Sequence, residues 1–287
     1  MDCVKKALSG KYCFLIIVLL SLLVYFLFLP KKNNSFILQN PIKIMSFNIG
    51  GSIIKQKPTL NEVVNFLKAY QWDIIFLQET GSISKLKNLA NKLGYHFIPV
   101  SSSIKKTDAA ILSRFPIKTN FTLTLKGWEK NINAICGNIL INDKKLLVCS
   151  MHLKNIKLDR TDDGHILTNK IRLLRILTRE TFLETYRSKG VDQLLKEINK
   201  LSYKAIIIGG DFNSLSFSKA IKKMKDNFKD CSWMNESFFQ SSVKAKFLFF
   251  PIKVDYIFVS DTLECSDTQI LPKSPSDHFP IVTKIAF

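Results

Sequence analysis

Polar residues able to handle a divalent cation or a phosphate recur where apolar runs of this sequence stop. Asn48 follows IKIMSF, Gln78-Glu79-Thr80 follows IIFL, His152 follows LLVCSM, Asp211-Phe212-Asn213 follows AIIIGG, and Asp277-His278 precedes the final run PIVTKIAF. Each has an ordinary explanation when taken singly. Asn48 suits a turn, Glu79 a helix start, His152 a satisfied core histidine, and Gly210–Asn213 a tight turn. Repetition changes the reading. Apolar strands that keep ending in carboxylate, amide and imidazole groups describe one site assembled at the rim of a sheet. Groups of these types can bind a metal ion or a phosphate.

Such a site needs short strands and helices to hold it. The period-two and buried-run patterns predict strands at Ile42–Phe47, Ile74–Leu77, Ala109–Leu112, Ala134–Ile141, Leu146–Ser150, Ala205–Ile208, Val254–Val259 and Ile281–Ile285. Helical spacing is predicted for Leu60–Tyr70, Ser84–Leu93 and Ile166–Tyr186. The class is α/β with many strands, without repeats of solenoid period.

With 287 residues and 46% hydrophobic content, the chain can bury one large core and still carry an appendage. Residues 12–29, YCFLIIVLLSLLVYFLFL, are free of charge and as a helix would span about 27 Å, close to a bilayer's hydrocarbon core. No small-residue cleavage site precedes Pro30-Lys31-Lys32, so the stretch reads as an uncleaved single-pass anchor rather than a signal peptide. The expected layout is a basic tail at 1–11, an anchor at 12–29, a linker at 30–40 and a globular domain at 41–287. Lys5, Lys6 and Lys11 against Lys31 and Lys32 lean toward a cytoplasmic N-terminus and a domain on the non-cytoplasmic side. The net charge of +19 fits nucleic acid or anionic lipid, diluted by a general lysine bias. Nothing points to a protein partner. The cysteines lack zinc spacing. Cys136 and Cys149 flank Asn142–Lys145 and would approach each other in a hairpin, with buried free thiols as the alternative.

The ordered set MSFNI (45–49), FLQET (76–80), AAILSRFPI (109–117), SMHL (150–153), IIGGDFNS (207–214), VDYIFVS (254–260) and SDHFPI (276–281) resembles the endonuclease/exonuclease/phosphatase superfamily over about residues 41–287. That superfamily includes deoxyribonuclease I, abasic-site endonucleases, neutral sphingomyelinases and inositol polyphosphate 5-phosphatases. The resemblance implies a four-layer αββα sandwich with the site at one edge of its two sheets. It also implies a hydrolase of phosphoric ester bonds using Mg²⁺ or Mn²⁺, held by Asn48, Glu79 and Asp277. Asp211 would position and deprotonate water, with Asn213 orienting the same region. His278, charged by Asp255, would donate to the phosphoryl oxygen, and His152 would contact the phosphate or the leaving group.

Arg114, Lys130, Asn131 and Lys253 are the expected substrate contacts. Lys130 and Asn131 stand where many relatives carry an arginine, and Lys253 also replaces an arginine, exchanging a planar donor for a point charge. Between His152 and Asp211 lie five of the six arginines. On one helix over 166–187, Arg172, Arg175, Arg179 and Arg187 would share an arc of about 120°, either a solvated face or a surface for anionic substrate or lipid headgroups. Phe247, Phe249 and Phe250 read as core packing or as a membrane-dipping loop. The substrate expected first is nucleic acid. Phospholipid or a phosphorylated small molecule is the alternative, and a non-catalytic tethered binder is disfavoured because every core position is filled.

Overall fold

The computed structural model describes residues 40–50, 58–98, 106–125, 132–156, 170–234, 240–244 and 252–287. The expected anchor at 12–29, Lys130, Asn131 and Phe247–Phe250 lie outside them. Among the described residues no helix is long and apolar enough to cross a membrane.

Two six-stranded sheets face each other. One runs β11 (Glu264–Ile270), β12 (Ile281–Ala286), β1 (Ile42–Asn48), β2 (Ile74–Ser82), β4 (Lys106–Ser113) and β3 (His96–Phe97). The other runs β5 (Ile117–Leu123), β6 (Ala134–Ile141), β7 (Lys144–His152), β8 (Ala205–Asp211), β10 (Asp255–Val259) and β9 (Lys229–Asp230). Ile44, Phe76, Ile111, Ile135, Val148, Ile207 and Ile257 fill the space between the sheets. Both sheets are covered outside as well. α1 (Leu60–Lys68) and α2 (Ile83–Leu93) bury Val63, Leu67, Leu86 and Leu89 against Met45, Phe47, Ile75 and Leu77. α4 (Tyr186–Ile198) and α5 (Lys219–Lys225) bury Val191, Leu194, Ile221 and Met224 against Leu147, Met151, Tyr256 and Phe258. Burial on both faces explains why these strands read as continuous apolar runs rather than alternating ones. The expected αββα layering is the observed one.

The sheets meet closely at Gly209, where an added Cβ would lie 2.2 Å from the Phe76 ring across the sandwich. The glycine pair before Asp211 therefore serves packing. β8 continues straight through it to Asp211, where the sequence suggested a turn.

Cys136 and Cys149 are cross-strand partners on β6 and β7 and form a disulfide, resolving the open choice between bridge and thiols. A second disulfide, not expected from the sequence, joins Cys231 to Cys265 and links the β9 end of one sheet to the β11 edge of the other.

The expected single helix over 166–187 is two helices where it is described, α3 (Lys170–Phe182) and α4, a correction with a local cause. Thr185 caps α4 by accepting from the Ser188 amide, while the Ser188 hydroxyl lies on the Thr185 amide, a reciprocal pair that starts a new helix. Arg187 consequently leaves the arginine arc. It is buried, paired with Glu180, and donates to the Lys154 carbonyl at 2.9 Å.

Candidate active site

Strand register places the chemistry. His152 stands opposite Asp211 across β7 and β8, and Asp211 stands opposite Asp255 across β8 and β10, so three ionisable groups lie in a row at one sheet end. On the facing sheet Asn48 pairs with Gln78, and β2 then bulges against β4 before Gly81. Glu79 sits in that bulge with φ +55°, a left-handed conformation that is costly for a non-glycine residue and is sustained by its surroundings. Asn213 has φ +47° and a similar local cause, since its amide donates to Asp211 Oδ1 at 2.8 Å.

The sheets join through Asn48, whose Nδ2 lies 3.0 Å from Asp211 Oδ2 and 3.3 Å from Glu79 Oε1, while its Oδ1 accepts from the Gly50 amide. Glu79 occupies the room beside Gly50, where any Cβ would fall 1.8 Å from Oε2. The Ser276 hydroxyl lies 2.6 Å from the Gly50 carbonyl and 3.1 Å from Asp277 Oδ1. Asn48, Gly50, Glu79 and Asp277 thus form one oxygen-rich corner.

Asp211 lies between two histidine–carboxylate pairs. His278 Nδ1 is 2.9 Å from Asp255 Oδ2, and its Nε2 is 3.7 Å from Asp211 Oδ2. His152 Nδ1 is 2.7 Å from Asp108 Oδ2, and its Nε2 is 3.5 Å from the same Asp211 oxygen. Burial pushes both imidazoles toward neutrality, but the carboxylates outweigh it. His278 is held up to about 10 by Asp255, Asp211 and Asp277, and His152 to about 9 by Asp108, Asp211 and Glu79. Asp211 is pushed up to about 6 by burial and by Asp255, against the pull of both histidines and Asn48.

Asp211, Asp255 and His278 could also surround a cation. An imidazolium has no lone pair to give a metal, and Nδ1 of His278 is committed to Asp255, so the corner at Glu79 suits a cation better. His152 has two mutually exclusive arrangements. A neutral ring accepts at Nε2 from Asn213 Nδ2, 3.1 Å away, whereas the imidazolium donates to Asp211 and releases the amide, which keeps its bond to the Leu153 carbonyl.

The structure therefore brings together Asn48, Glu79, His152, Asp211, Asn213, Asp255, Asp277 and His278. It does not bring Arg114 there. That side chain stands past the far end of β4, 3.4 Å from Asp73, which precedes β2. Lys253 also differs from its expected role in gripping substrate. It is buried, bonded to the Ser232 hydroxyl, 3.9 Å from Asp230 and 4.3 Å from the Tyr256 ring centre. The Asp230 carboxylate draws the ammonium inward, and burial lowers its pKa to about 8.

Two contributors were missed. Asp108 is the carboxylate of the second pair, and Asn133 donates to it at 3.3 Å while its carbonyl accepts from the His152 amide at 2.7 Å. Asp108 stands one residue ahead of AAILSRFPI, so an acid abutting a recognised strand was the available signal.

The chain belongs to the endonuclease/exonuclease/phosphatase family, whose sequence pattern matches residues 45–278. Members of this family are phosphoesterase hydrolases that generally depend on a divalent metal. The fold is shared with an endonuclease/exonuclease/phosphatase from Bacteroides vulgatus, at 16% identity and TM-score 0.64, covering 87% of this chain and 100% of that one. It is shared also with the human Nocturnin catalytic domain with bound sulfate anion, at 19% identity and TM-score 0.60, covering 88% and 97%. A third likeness is to D. rerio TDP2 complexed with single strand DNA product, at 16% identity and TM-score 0.61, covering 87% and 100%. An uncharacterised Caenorhabditis elegans protein is 24% identical over 201 residues, which are 67% of this chain. The chain spans 60% of that relative's length.

Proposed function

We propose that this chain is a membrane-anchored, divalent-metal-dependent phosphodiesterase that hydrolyses nucleic acid. The observation that carries the hydrolytic reading is Asp211, buried between two imidazoles that its own neighbours keep charged. Above about pH 6 its carboxylate is ionised and can take a proton from water as that water attacks phosphorus. His278 Nε2 donates to a phosphoryl oxygen, and His152 Nε2 to the ester oxygen that departs as the P–O bond breaks. Asp255 and Asp108 orient the two rings and hold them protonated.

Glu79, Asn48 and Asp277 would hold Mg²⁺ or Mn²⁺. The Glu79 and Asp277 carboxylates are hard oxygen donors, the first fitted against a residue with no Cβ, and Asn48 would reach the ion through Oδ1, since the Nδ2 that faces Glu79 cannot ligate. When bound, it would supply Lewis-acid stabilisation of charge on the non-bridging oxygens.

Residues 12–29 supply the anchor. Two disulfides in the domain support a position on the non-cytoplasmic, oxidising side. The basic chain and the single-strand DNA product named for TDP2 support a nucleic-acid substrate. A phospholipid phosphodiester is the second reading. It is favoured by exposed Tyr186 and Phe217, the first beside Lys154 just past His152 and the second just past Asn213.

The test is the full-length protein with Mg²⁺ offered single- and double-stranded DNA, RNA, sphingomyelin and phosphoinositides. Cleavage of nucleic acid that stops in excess chelator is expected. Cleavage of lipid alone selects the second reading, turnover unaffected by chelator removes the metal, and no hydrolysis of any of them overturns the enzyme.

A further inference from the structure

Among the described residues, six large apolar side chains are more than half exposed, and five gather in one part of the molecule. These are Leu174 (65%), Phe182 (71%), Leu183 (57%), Tyr186 (55%) and Phe217 (53%). Leu174 and Phe182 lie on α3, Leu183 is in the turn after it, and Tyr186 opens α4. Phe217 precedes Ser218, the cap of α5, and Lys219 and Lys223 of that helix reach Glu184 in the α3–α4 turn at 2.7 and 3.0 Å.

The arginines lie on the same side. At about 100° per residue, Leu174, Thr178, Phe182, Arg175, Arg179 and Arg172 occupy one arc of about 160° on α3. All six are exposed. The acid of this helix, Glu180, points the other way and is buried against Arg187. Among the described residues, the outward face of α3 thus combines cations with bulky apolar groups without an acid, and Glu184 in the turn after it is neutralised by Lys219 and Lys223. Single exposed apolar residues are ordinary, but a cluster of this kind marks a surface that something covers.

We propose that the outward face of α3 and the α3–α4 turn dock on an anionic lipid bilayer, with Arg175 and Arg179 at the headgroup phosphates and Leu174, Phe182 and Leu183 in the headgroup–acyl boundary. Charge complementarity supplies the attraction and burial of the apolar groups the depth. A nucleic-acid strand would neutralise the same arginines, but it would leave Leu174 and Leu183 in water, because bases stack on aromatic and guanidinium planes rather than on aliphatic chains. Chain length permits the contact. The eleven residues 30–40 extend at most about 40 Å, so a domain tethered by residues 12–29 stays within reach of the membrane. Proximity rests on that anchor, whereas the docking face itself does not depend on which phosphoester is cleaved. Because Tyr186 sits 5.0 Å from Lys154 Nζ, two residues from His152, docking would also fix how the site faces the membrane.

The test places a photoreactive benzoylphenylalanine at position 182, or at exposed Leu140 on β6 as the control, in the full-length chain reconstituted into vesicles of phosphatidylcholine with or without phosphatidylserine. Lipid adducts at 182 should exceed those at 140 several-fold in the anionic vesicles. They should fall by roughly tenfold or more on R175E with R179E or in high salt. Both arginines are exposed, and an unchanged thermal midpoint verifies the fold. Equal labelling at 182 and 140, insensitivity to the charge reversals, or an oligonucleotide crosslinking at 182 in place of lipid would overturn the docking face. If carbonate extracts the protein from the vesicles while 182 still labels lipid, the anchor is wrong and the docking face stands.

Discussion

The two histidine–carboxylate pairs are nearly alike in distance and unlike in enclosure. Asp255 is sealed, its Oδ1 buried without a hydrogen-bond partner, so its charge is directed at His278. Asp108 is partly open, its side chain 13% exposed, and it divides its charge between His152 and Asn133. Low dielectric strengthens the first interaction, and solvent and sharing weaken the second. Their pKa values fall in the same order, about 10 against about 9. The two pairs differ in the enclosure of their carboxylates more than in contact distance.

The largest effect should come from the sealed pair. His278→Ala should lower kcat by a factor on the order of 10²–10⁴, the range for losing a positioned acid or an oxyanion donor. Asp255→Asn should cost less, and the double variant should match His278→Ala alone, since Asp255 has nothing left to orient. A folded His278→Ala enzyme within about threefold of wild type would defeat the catalytic role of the pair.

The open pair should be more tolerant. Asp108→Asn is expected to reduce kcat by about 10- to 100-fold, less than Asp255→Asn. Kinetics of the two variants side by side decide the matter, and an equal loss would show that enclosure does not rank them.

Acidity tests both pairs together. The rate should fall as pH drops through about 6, where Asp211 takes up a proton, and again as pH rises through about 9 to 10, where the rings lose theirs. Stability has its own signs. Both histidines have folded pKa values above the ordinary 6.5, so their pairing stabilises fully below that value and the contribution is lost as pH rises through 9 and 10. Asp211 is raised from 3.8, so its ionisation costs stability as pH climbs toward 6. The thermal midpoint should therefore decline from pH 7 to 10, and less steeply in His278→Ala.

Away from both pairs the effect should vanish. Arg114→Ala removes an exposed ion pair with Asp73 and should change kcat by less than about twofold. A larger loss would extend the working surface to the far end of β4.

The strand-end residues were legible because buried strands leave long apolar runs, against which Asn48, Glu79, His152 and Asp211 stand out. Asp108 stands out less, because it precedes its apolar run, behind Lys106 and Thr107, where a strand-entry polar residue is ordinary. The break between α3 and α4 was hidden because its cap pairs Thr185 with Ser188, where a glutamate at that spacing would have announced a helix start. Lys253 looked available for substrate because Asp230, which holds it, is 23 residues earlier in the chain.

The first sheet also has a consequence in time. β1 lies between β2 and β12, so Ile42 is paired with Ile285 across nearly the whole domain. During synthesis β1 waits with one edge bare until residues 281–286 emerge from the ribosome, and His278 can be seated only as that strand arrives. A nascent chain would hold Glu79 and Asp211 well before it could use them. Closure over so great a sequence distance is slow and exposes an edge to wrong partners meanwhile. Activity should therefore appear abruptly, at the last step of folding.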